Sequence, residues 1–183
     1  MDRTFVYVGT YSSEGEIYIY RLSSDSGRLE CTGKIKNLAN PSFLAVDLKQ
    51  QNLYAANEIL DFAGERAGAV SAFSINEESG QISLLNSKSS KGAGPCHVSL
   101  DRTCRYIFTA NYAGGSICVL SRNNDGSLED AVDFIQHEGS SVNPDRQEGP
   151  HPHSVVIDPS NKYVFVPDLG LILSSYGCCW WSF

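Results

Sequence analysis

Side chains that can exchange protons or carry charge are concentrated between residues 137 and 153. His153 is the best candidate for a general base in this segment, because histidine titrates near neutral pH. Arg146 could hold an anionic group or polarise a carbonyl. His151 and Gln147 are predicted to bind the molecule on which His153 and Arg146 would act. The segment is therefore a candidate site for acid–base chemistry.

Each of these residues also has a purely structural interpretation. His153 could cap the end of a strand and bond the backbone, and Arg146 could be a solvated charge on a loop. His151 lies between two prolines, Pro150 and Pro152, and its alternative interpretation is a surface histidine in a turn. His97 lies in the equivalent stretch one repeat earlier and, without the longer loop, is interpreted as structural.

Asn111 and Asp168 complete the set of predicted substrate-binding residues. Each ends an apolar run, so the two side chains could belong to a polar ring around a channel. Asn and Asp also end strands because they form turns, and this alternative stays open. The His151-Pro152-His153 triplet does not predict a metal site, because two histidines around one proline rarely face the same ion. No metal and no cofactor are predicted.

The elements that position these residues are repeated along the chain. One pattern occurs as FVYVGT, NLYAAN, YIFTAN and YVFVPD, and its last residues are separated by 47, 54 and 57 positions. Three further motifs recur in register with it and begin at Pro41, Pro95 and Pro152, at Gly15, Gly68 and Gly115, and at Gly27, Gly80 and Gly126. Each unit thus contains four short strands rich in Val, Ile, Tyr and Phe. Units of this length with four strands predict the blades of an all-β propeller.

The repeat supplies about three and a half four-stranded antiparallel blades, and it breaks after Gly170. We predict a partial propeller over residues 1–170 and a divergent, uncharged tail over 171–183. A truncated or frameshifted reading frame explains the break better than a genuine tail packed over an open blade. An open fan would expose an apolar face, which favours self-association.

Composition excludes several classes of protein. The net charge of −7 and pI near 5.0 do not favour nucleic acid or an anionic membrane as a partner. The six cysteines form no CxxC pair, and four of them are predicted to be buried free thiols within strands. The apolar runs are shorter than the ~20 residues of a membrane span, and the first residues enter a strand pattern without a signal peptide. A cytoplasmic location is expected.

These motifs resemble the lactonase family of seven-bladed β-propellers. Val6–Tyr11 is similar to the first strand of that family, and Phe108–Tyr112 is similar to a later blade. The most specific likeness is the segment Gln147–Val155 running into Val164–Gly170. The resemblance covers residues 3–170, which is about half of a typical member. The family includes 6-phosphogluconolactonases of the pentose phosphate pathway and carboxymuconate cyclases.

The resemblance implies a hydrolase that opens a sugar lactone with a base-activated water. His153 matches a histidine proposed as catalytic in the cyclases, whereas the glutamate and arginines proposed to act with it lie in later blades. The chain alone is therefore expected to be a weak or inactive lactonase. A non-catalytic binding module and a truncated product without function are the alternatives.

Overall fold

The computed structural model describes residues 4–12, 14–171 and 174–175, which form four antiparallel sheets. The first sheet has the strand order β1-β2-β3. Its strands are β1 (Thr4–Gly9), β2 (Ile17–Leu22) and β3 (Leu29–Ile35). The first sheet begins with the second strand of the repeat unit, because β1 corresponds to the FVYVGT motif.

The second and third sheets are complete units with four strands each. The second contains β4 (Pro41–Val46), β5 (Asn52–Asn57), β6 (Ala69–Ile75) and β7 (Ile82–Ser89). The third contains β8 (Pro95–Leu100), β9 (Tyr106–Asn111), β10 (Ser116–Arg122) and β11 (Leu128–Gln136). In both sheets the strands pair in chain order, as in a propeller blade.

The fourth sheet has the order β12-β13-β14. Its strands are β12 (Val156–Ile157), β13 (Val164–Pro167) and β14 (Ser174–Ser175). An isolated bridge between Pro152 and Asp168 extends the pairing of β12 with β13 toward one end. The strand β14 lies within the segment predicted to diverge, where it pairs with β13 in the place of a third strand. Most of the predicted tail lies outside the described residues, and the boundary at residue 170 stays a prediction.

This architecture confirms the predicted all-β propeller blades. The four repeated motifs correspond to the four strands of a sheet in the predicted order. The first strands β4, β8 and β12 lie next to each other in space, so the sheets pack in sequence around a common inner edge. No helix that could span a membrane occurs in the described ranges.

Apolar side chains fill the space between successive sheets. In β5, Leu53 and Ala55 pack toward the first sheet, whereas Tyr54 and Ala56 pack toward the third. All six residues of β5 are buried. A third cluster, which includes Phe108 and Val166, joins the third and fourth sheets. A blade with neighbours on both faces requires strands whose interior positions are apolar on both sides, because successive side chains point to opposite faces.

A repeated hydrogen bond also joins neighbouring sheets. The hydroxyl of Tyr7 donates to the carbonyl of Gly80 at 2.9 Å, and the hydroxyl of Tyr54 donates to that of Gly126 at the same distance. Both glycines have a positive φ, and a Cβ on either one would overlap a side chain of the preceding sheet. Glycine therefore serves two purposes at this turn, conformational freedom and close approach.

One ion pair between the second and third sheets is buried. The Arg122 Nη1 atom lies 3.4 Å from Asp47 Oδ2, with side chains 13% and 0% exposed. The second terminal nitrogen of the guanidinium, Nη2, donates to Asn52 Oδ1 at 3.1 Å. A carboxylate that is removed from water requires such a partner, because burial of an unpaired charge is costly.

The prediction for the cysteines was right for one residue and wrong for others. Cys118 is buried in β10, and burial raises its pKa to about 12. Cys31 lies in β3 but is exposed, because that edge strand carries few buried positions. Cys104 lies in the turn between β8 and β9 with a φ of 55°. These three thiols and that of Cys96 are free.

Replacement of Gly126 by alanine tests the contact between sheets. We expect Gly126→Ala to lower the free energy of unfolding by about 1 kcal/mol for the positive φ and by about 1–3 kcal/mol more for overlap with Asn52. The matched control is Gly27→Ala, because Gly27 also has a positive φ but nothing lies within 4 Å of its Cβ position. Urea unfolding measures both changes, and equal losses would contradict the packing argument.

Candidate functional site

The ends of the second strands and the segments that enter each sheet meet on one face of the molecule. Asn57 Nδ2 donates to the carbonyl of Ala39 at 2.8 Å, and Asn111 Nδ2 donates to that of Ser90 at 3.0 Å. At the equivalent place, Asp168 Oδ1 accepts from the His151 N–H at 2.7 Å. We call this repeated bond the strand-end clamp. Where the entering backbone presents a carbonyl, the side chain is an asparagine whose amide donates. Where it presents an N–H, the side chain is an aspartate whose carboxylate accepts.

The carboxylate of Asp168 collects three hydrogen bonds. Its Oδ1 accepts from the backbone N–H groups of His151 and Gly170, and its Oδ2 lies 2.7 Å from His137 Nδ1. The Asp168 side chain is 0% exposed. The structure thus places Asp168 beneath the surface, where it ties the two ends of the long loop over residues 138–150 to β13. Its predicted contact with substrate stays untested.

Gln147 and Asn111 are likewise enclosed by protein. Gln147 Oε1 accepts from the Asn143 N–H at 2.9 Å, and its Nε2 donates to the Leu169 carbonyl at 2.8 Å. Asn111 is 0% exposed and also donates to Ser116 Oγ at 3.1 Å. Both amides hold loops in place in this structure, and their predicted substrate-binding role stays a prediction.

Tyr112 follows β9 and lies at the centre of the predicted site. The His151 ring stacks on it with centroids 4.6 Å apart and an angle of 19°. The His153 ring meets it edge-on at 5.7 Å and 87°. Arg146 Nη2 donates to the Tyr112 hydroxyl at 3.4 Å. Three of the residues that sequence predicts as site residues therefore converge on a tyrosine that sequence analysis did not select.

Both ring nitrogens of His151 face oxygen atoms. Nδ1 lies 3.1 Å from the Tyr112 carbonyl, and Nε2 lies 3.1 Å from Glu148 Oε1. A hydrogen bond to its own backbone and one from His151 hold the pKa of the Glu148 carboxyl below its usual range. A carbonyl and a carboxylate oxygen both accept hydrogen bonds, so each ring nitrogen of His151 is directed at an acceptor of the protein. Both nitrogens are therefore engaged, and His151 is not the candidate base.

His153 differs from His151 in all these respects. Its side chain is exposed, and its ring nitrogens have no hydrogen bond within the described ranges. Its backbone is fixed, because its N–H donates to the Pro167 carbonyl at 3.0 Å. An exposed imidazole on a fixed backbone is available to a substrate, which is what a general base requires.

His153 and His97 occupy different positions of the repeat, although sequence analysis placed them in equivalent stretches. Pro152 pairs with Asp168 as Pro95 pairs with Asn111, so His153 occupies the position of Cys96. The Cys96 thiol faces the fourth sheet, with Sγ 3.5 Å from the His153 carbonyl. Burial raises its pKa to about 11, so Cys96 is not a nucleophile at neutral pH.

His97 lies at the inner edge of the third sheet and packs against Phe43 of the second. The two ring centroids are 4.2 Å apart. Burial lowers the pKa of His97, and the nearby His153 lowers it further. Its Nδ1 accepts from the Val155 N–H at 3.4 Å. His97 thus has the structural role that was predicted, in a position next to the candidate base.

No group of three His, Cys, Asp or Glu side chains with the geometry of a metal site occurs in the part of the chain that the structure describes. The exposed polar side chains at this surface include those of His153, Arg146 and Glu148, beside the partly buried His151 and the Tyr112 ring. The fold and this site together define a β-propeller whose candidate site lies on the face where blade loops converge.

The chain belongs to the lactonase family of seven-bladed β-propellers, whose family profile matches residues 5–171. It is 33% identical over 173 residues to the 6-phosphogluconolactonase of Bacillus subtilis, covering 93% of this chain and 48% of that protein. The match spans both the blades and the candidate site. The resemblance stated from sequence is confirmed.

Solved structures show the same relationship. The Pseudomonas aeruginosa periplasmic gluconolactonase PpgL is 33% identical with a TM-score of 0.81, covering 92% of this chain and 48% of that one. A Bacteroides fragilis protein with a 6-phosphogluconolactonase assignment is 36% identical with a TM-score of 0.83, covering 92% and 46%. The chain thus spans about half the length of the relatives it matches.

Replacement of Asp168 tests its role under the loop. We expect Asp168→Ala to lower the free energy of unfolding by about 2–3 kcal/mol, because three donors lose a buried carboxylate. Amide exchange at His151 and Gly170 should rise at least tenfold. The control is Asp145→Ala, an exposed carboxylate in the same loop. Mass spectrometry measures the amide exchange. Equal exchange rates in Asp168→Ala and Asp145→Ala would contradict the role assigned to Asp168.

The lowered pKa of His97 predicts a dependence of stability on pH. The unfolded chain, with a histidine pKa near 6.5, binds a proton before the folded chain does, so unfolding becomes easier as pH falls below that value. In His97→Phe this contribution is absent. Urea midpoints at pH 7.5 and 5.5 should therefore differ less in His97→Phe than in the unchanged chain. An equal or larger difference would contradict the prediction.

Proposed function

We propose that this chain carries the lactone-binding face of a 6-phosphogluconolactonase-like hydrolase, with His153 as general base. The observation that carries the proposal is the exposed His153 imidazole beside Arg146 and Tyr112, within a chain of the lactonase family. The named relatives include 6-phosphogluconolactonases. A phosphorylated sugar lactone in the pentose phosphate pathway is the proposed substrate.

The chemistry requires one water and one base. His153 would take a proton from water as the water oxygen attacks the lactone carbonyl. The tetrahedral oxyanion then collapses, the ring C–O bond breaks, and the leaving oxygen takes a proton from the imidazolium. The open acid ionises and releases one proton. Arg146 would attract the phosphate or the developing negative charge, with His151 beside it as a further contact to the substrate.

We expect slow turnover from this chain. Electrostatic stabilisation of the oxyanion is usually the largest contribution to such a rate, and the family resemblance puts further acting residues in later blades. Loss of such groups lowers rates by orders of magnitude. The proposal is thus a weak lactonase in this chain.

The test is hydrolysis of 6-phosphoglucono-δ-lactone by the 183-residue chain, followed by proton release in weak buffer and corrected for spontaneous opening. We expect a rate above background that falls at least 100-fold, or to background, in His153→Ala. Asp145→Ala, an exposed change in the same segment, is the matched control and should retain the rate. Unchanged turnover in His153→Ala would rule out the base assignment.

A binding module without turnover is the second candidate, favoured by the exposed guanidinium of Arg146. Saturable binding of 6-phosphogluconate without hydrolysis, lost in Arg146→Ala, would support it.

We also propose self-association through the open sheet faces, where Val8 and Val156 are 43% and 48% exposed. Sedimentation across a range of concentrations tests this. Nucleic acid and membranes are not proposed partners. A cytoplasmic location is proposed from sequence, although the P. aeruginosa neighbour is named as periplasmic.

A further inference from the structure

Tyr112 is the residue on which the predicted site residues converge. His151 stacks on its ring, His153 meets the ring edge-on, and Arg146 donates to its hydroxyl. Its carbonyl also accepts from His151 Nδ1. Tyr112 thus contacts the candidate base, Arg146 and His151, all of which follow it in the chain by more than 30 residues.

The backbone of Tyr112 is held independently of these contacts. Its N–H donates to the Gly94 carbonyl at 2.9 Å, and the Gly114 N–H donates to the Ala93 carbonyl at 2.8 Å. Gly94 has a φ of 62°, and a Cβ there would lie 2.9 Å from the Cβ of Ala113. The turn after β9 therefore packs on the segment that enters its own sheet, and the tyrosine projects from a rigid base.

The nature of each contact matches the group that makes it. The imidazole of His151 lies nearly parallel to the face of the Tyr112 ring, and stacked aromatic pairs of this kind are favourable. An edge-on contact leaves the ring nitrogens of His153 open to solvent, in agreement with its lack of hydrogen bonds among the described residues. The hydroxyl limits the directions that the flexible Arg146 side chain can take.

From this arrangement we propose that Tyr112 is a positioning residue, whose ring and hydroxyl together fix the places of the candidate base His153 and of His151 and Arg146. The kinetic consequence rests on the proposed function, whereas the positioning does not. Tyr112 touches the acting residues and is not assigned a chemical step. Its ring orients the imidazoles, and its hydroxyl orients the guanidinium.

Two variants separate the ring from the hydroxyl. Tyr112→Phe retains the ring, so we expect an unchanged kcat and a KM for 6-phosphoglucono-δ-lactone raised about threefold, from loss of the Arg146 contact alone. Tyr112→Leu removes the ring, and we expect kcat to fall about tenfold to 100-fold through misplacement of the base. Tyr163→Leu, a change at a half-exposed tyrosine between β12 and β13, is the control and should change neither constant.

A spectroscopic measurement tests the positioning without turnover. The chain has four histidines, so their ring-proton NMR signals can be assigned from single His→Gln variants. The ring protons of His151 should be shifted upfield by the Tyr112 ring, retain that shift in Tyr112→Phe and lose it in Tyr112→Leu. The His153 signals should also move in Tyr112→Leu, while amide signals of the first and second sheets stay in place.

The outcomes distinguish the two proposals. Histidine signals that are the same in the unchanged chain and in Tyr112→Leu would overturn the positioning role, whatever the activity. A chain without turnover whose histidine signals respond as expected would overturn the lactonase proposal and leave the positioning role supported. If Tyr112→Leu fails to fold, the unchanged chain and Tyr112→Phe decide. His151 ring protons without an upfield shift would overturn the ring's part, and an unchanged KM in Tyr112→Phe would overturn the hydroxyl's part.

Discussion

Every other feature of this molecule depends on the burial of both faces of a sheet. A single sheet of four strands cannot hide its apolar side chains, so each one packs on the next, and β5 is buried along its whole length. Successive side chains of one strand then belong to two different cores. Because the sheets must lie face to face, their strand ends align, and this alignment creates the face that carries the candidate site.

Polar groups complete the packing where apolar contact ends. On one side of the molecule, Arg122 and Asp47 lie between two sheets with Asn52. On the other side, the strand-end clamps of Asn57, Asn111 and Asp168 hold the segments that enter the sheets. Both arrangements satisfy backbone or charged groups that burial would otherwise leave unpaired. The site is therefore built on groups whose first task is structural.

The fold was predictable because the repeats report it directly. A strand packed between two sheets needs apolar side chains on both of its faces, and such mainly apolar runs recur every 47 to 57 residues with glycine and aspartate turns between them. His153 and Arg146 could be selected by residue type, and both lie at the surface. Gln147 and Asp168 could not be distinguished from them, because sequence does not show whether a polar side chain in a loop faces solvent or the backbone beneath it.

Tyr112 shows most clearly what sequence reasoning lacked. Tyr112 lies next to the repeated motif only as the residue after Asn111. Its partners are distant in sequence: Arg146 follows it by 34 positions and His151 by 39. Its selection needed the stacking geometry between a turn in one sheet and the entry to the next. The sequence signal that could have selected Tyr112 was its position directly after Asn111, at the end of the strand that precedes the long polar loop by two strands.

The clamp at Asp168 has a consequence for how such a protein can change over evolutionary time. It joins residue 151 to residue 168 and thereby fixes both ends of the excursion between the third and fourth sheets. Since lengthening a closed loop adds little entropic cost, residues can be inserted or deleted between 138 and 150 while the strands keep their register. The chemical character of the surface can therefore diverge among descendants at little expense to the scaffold.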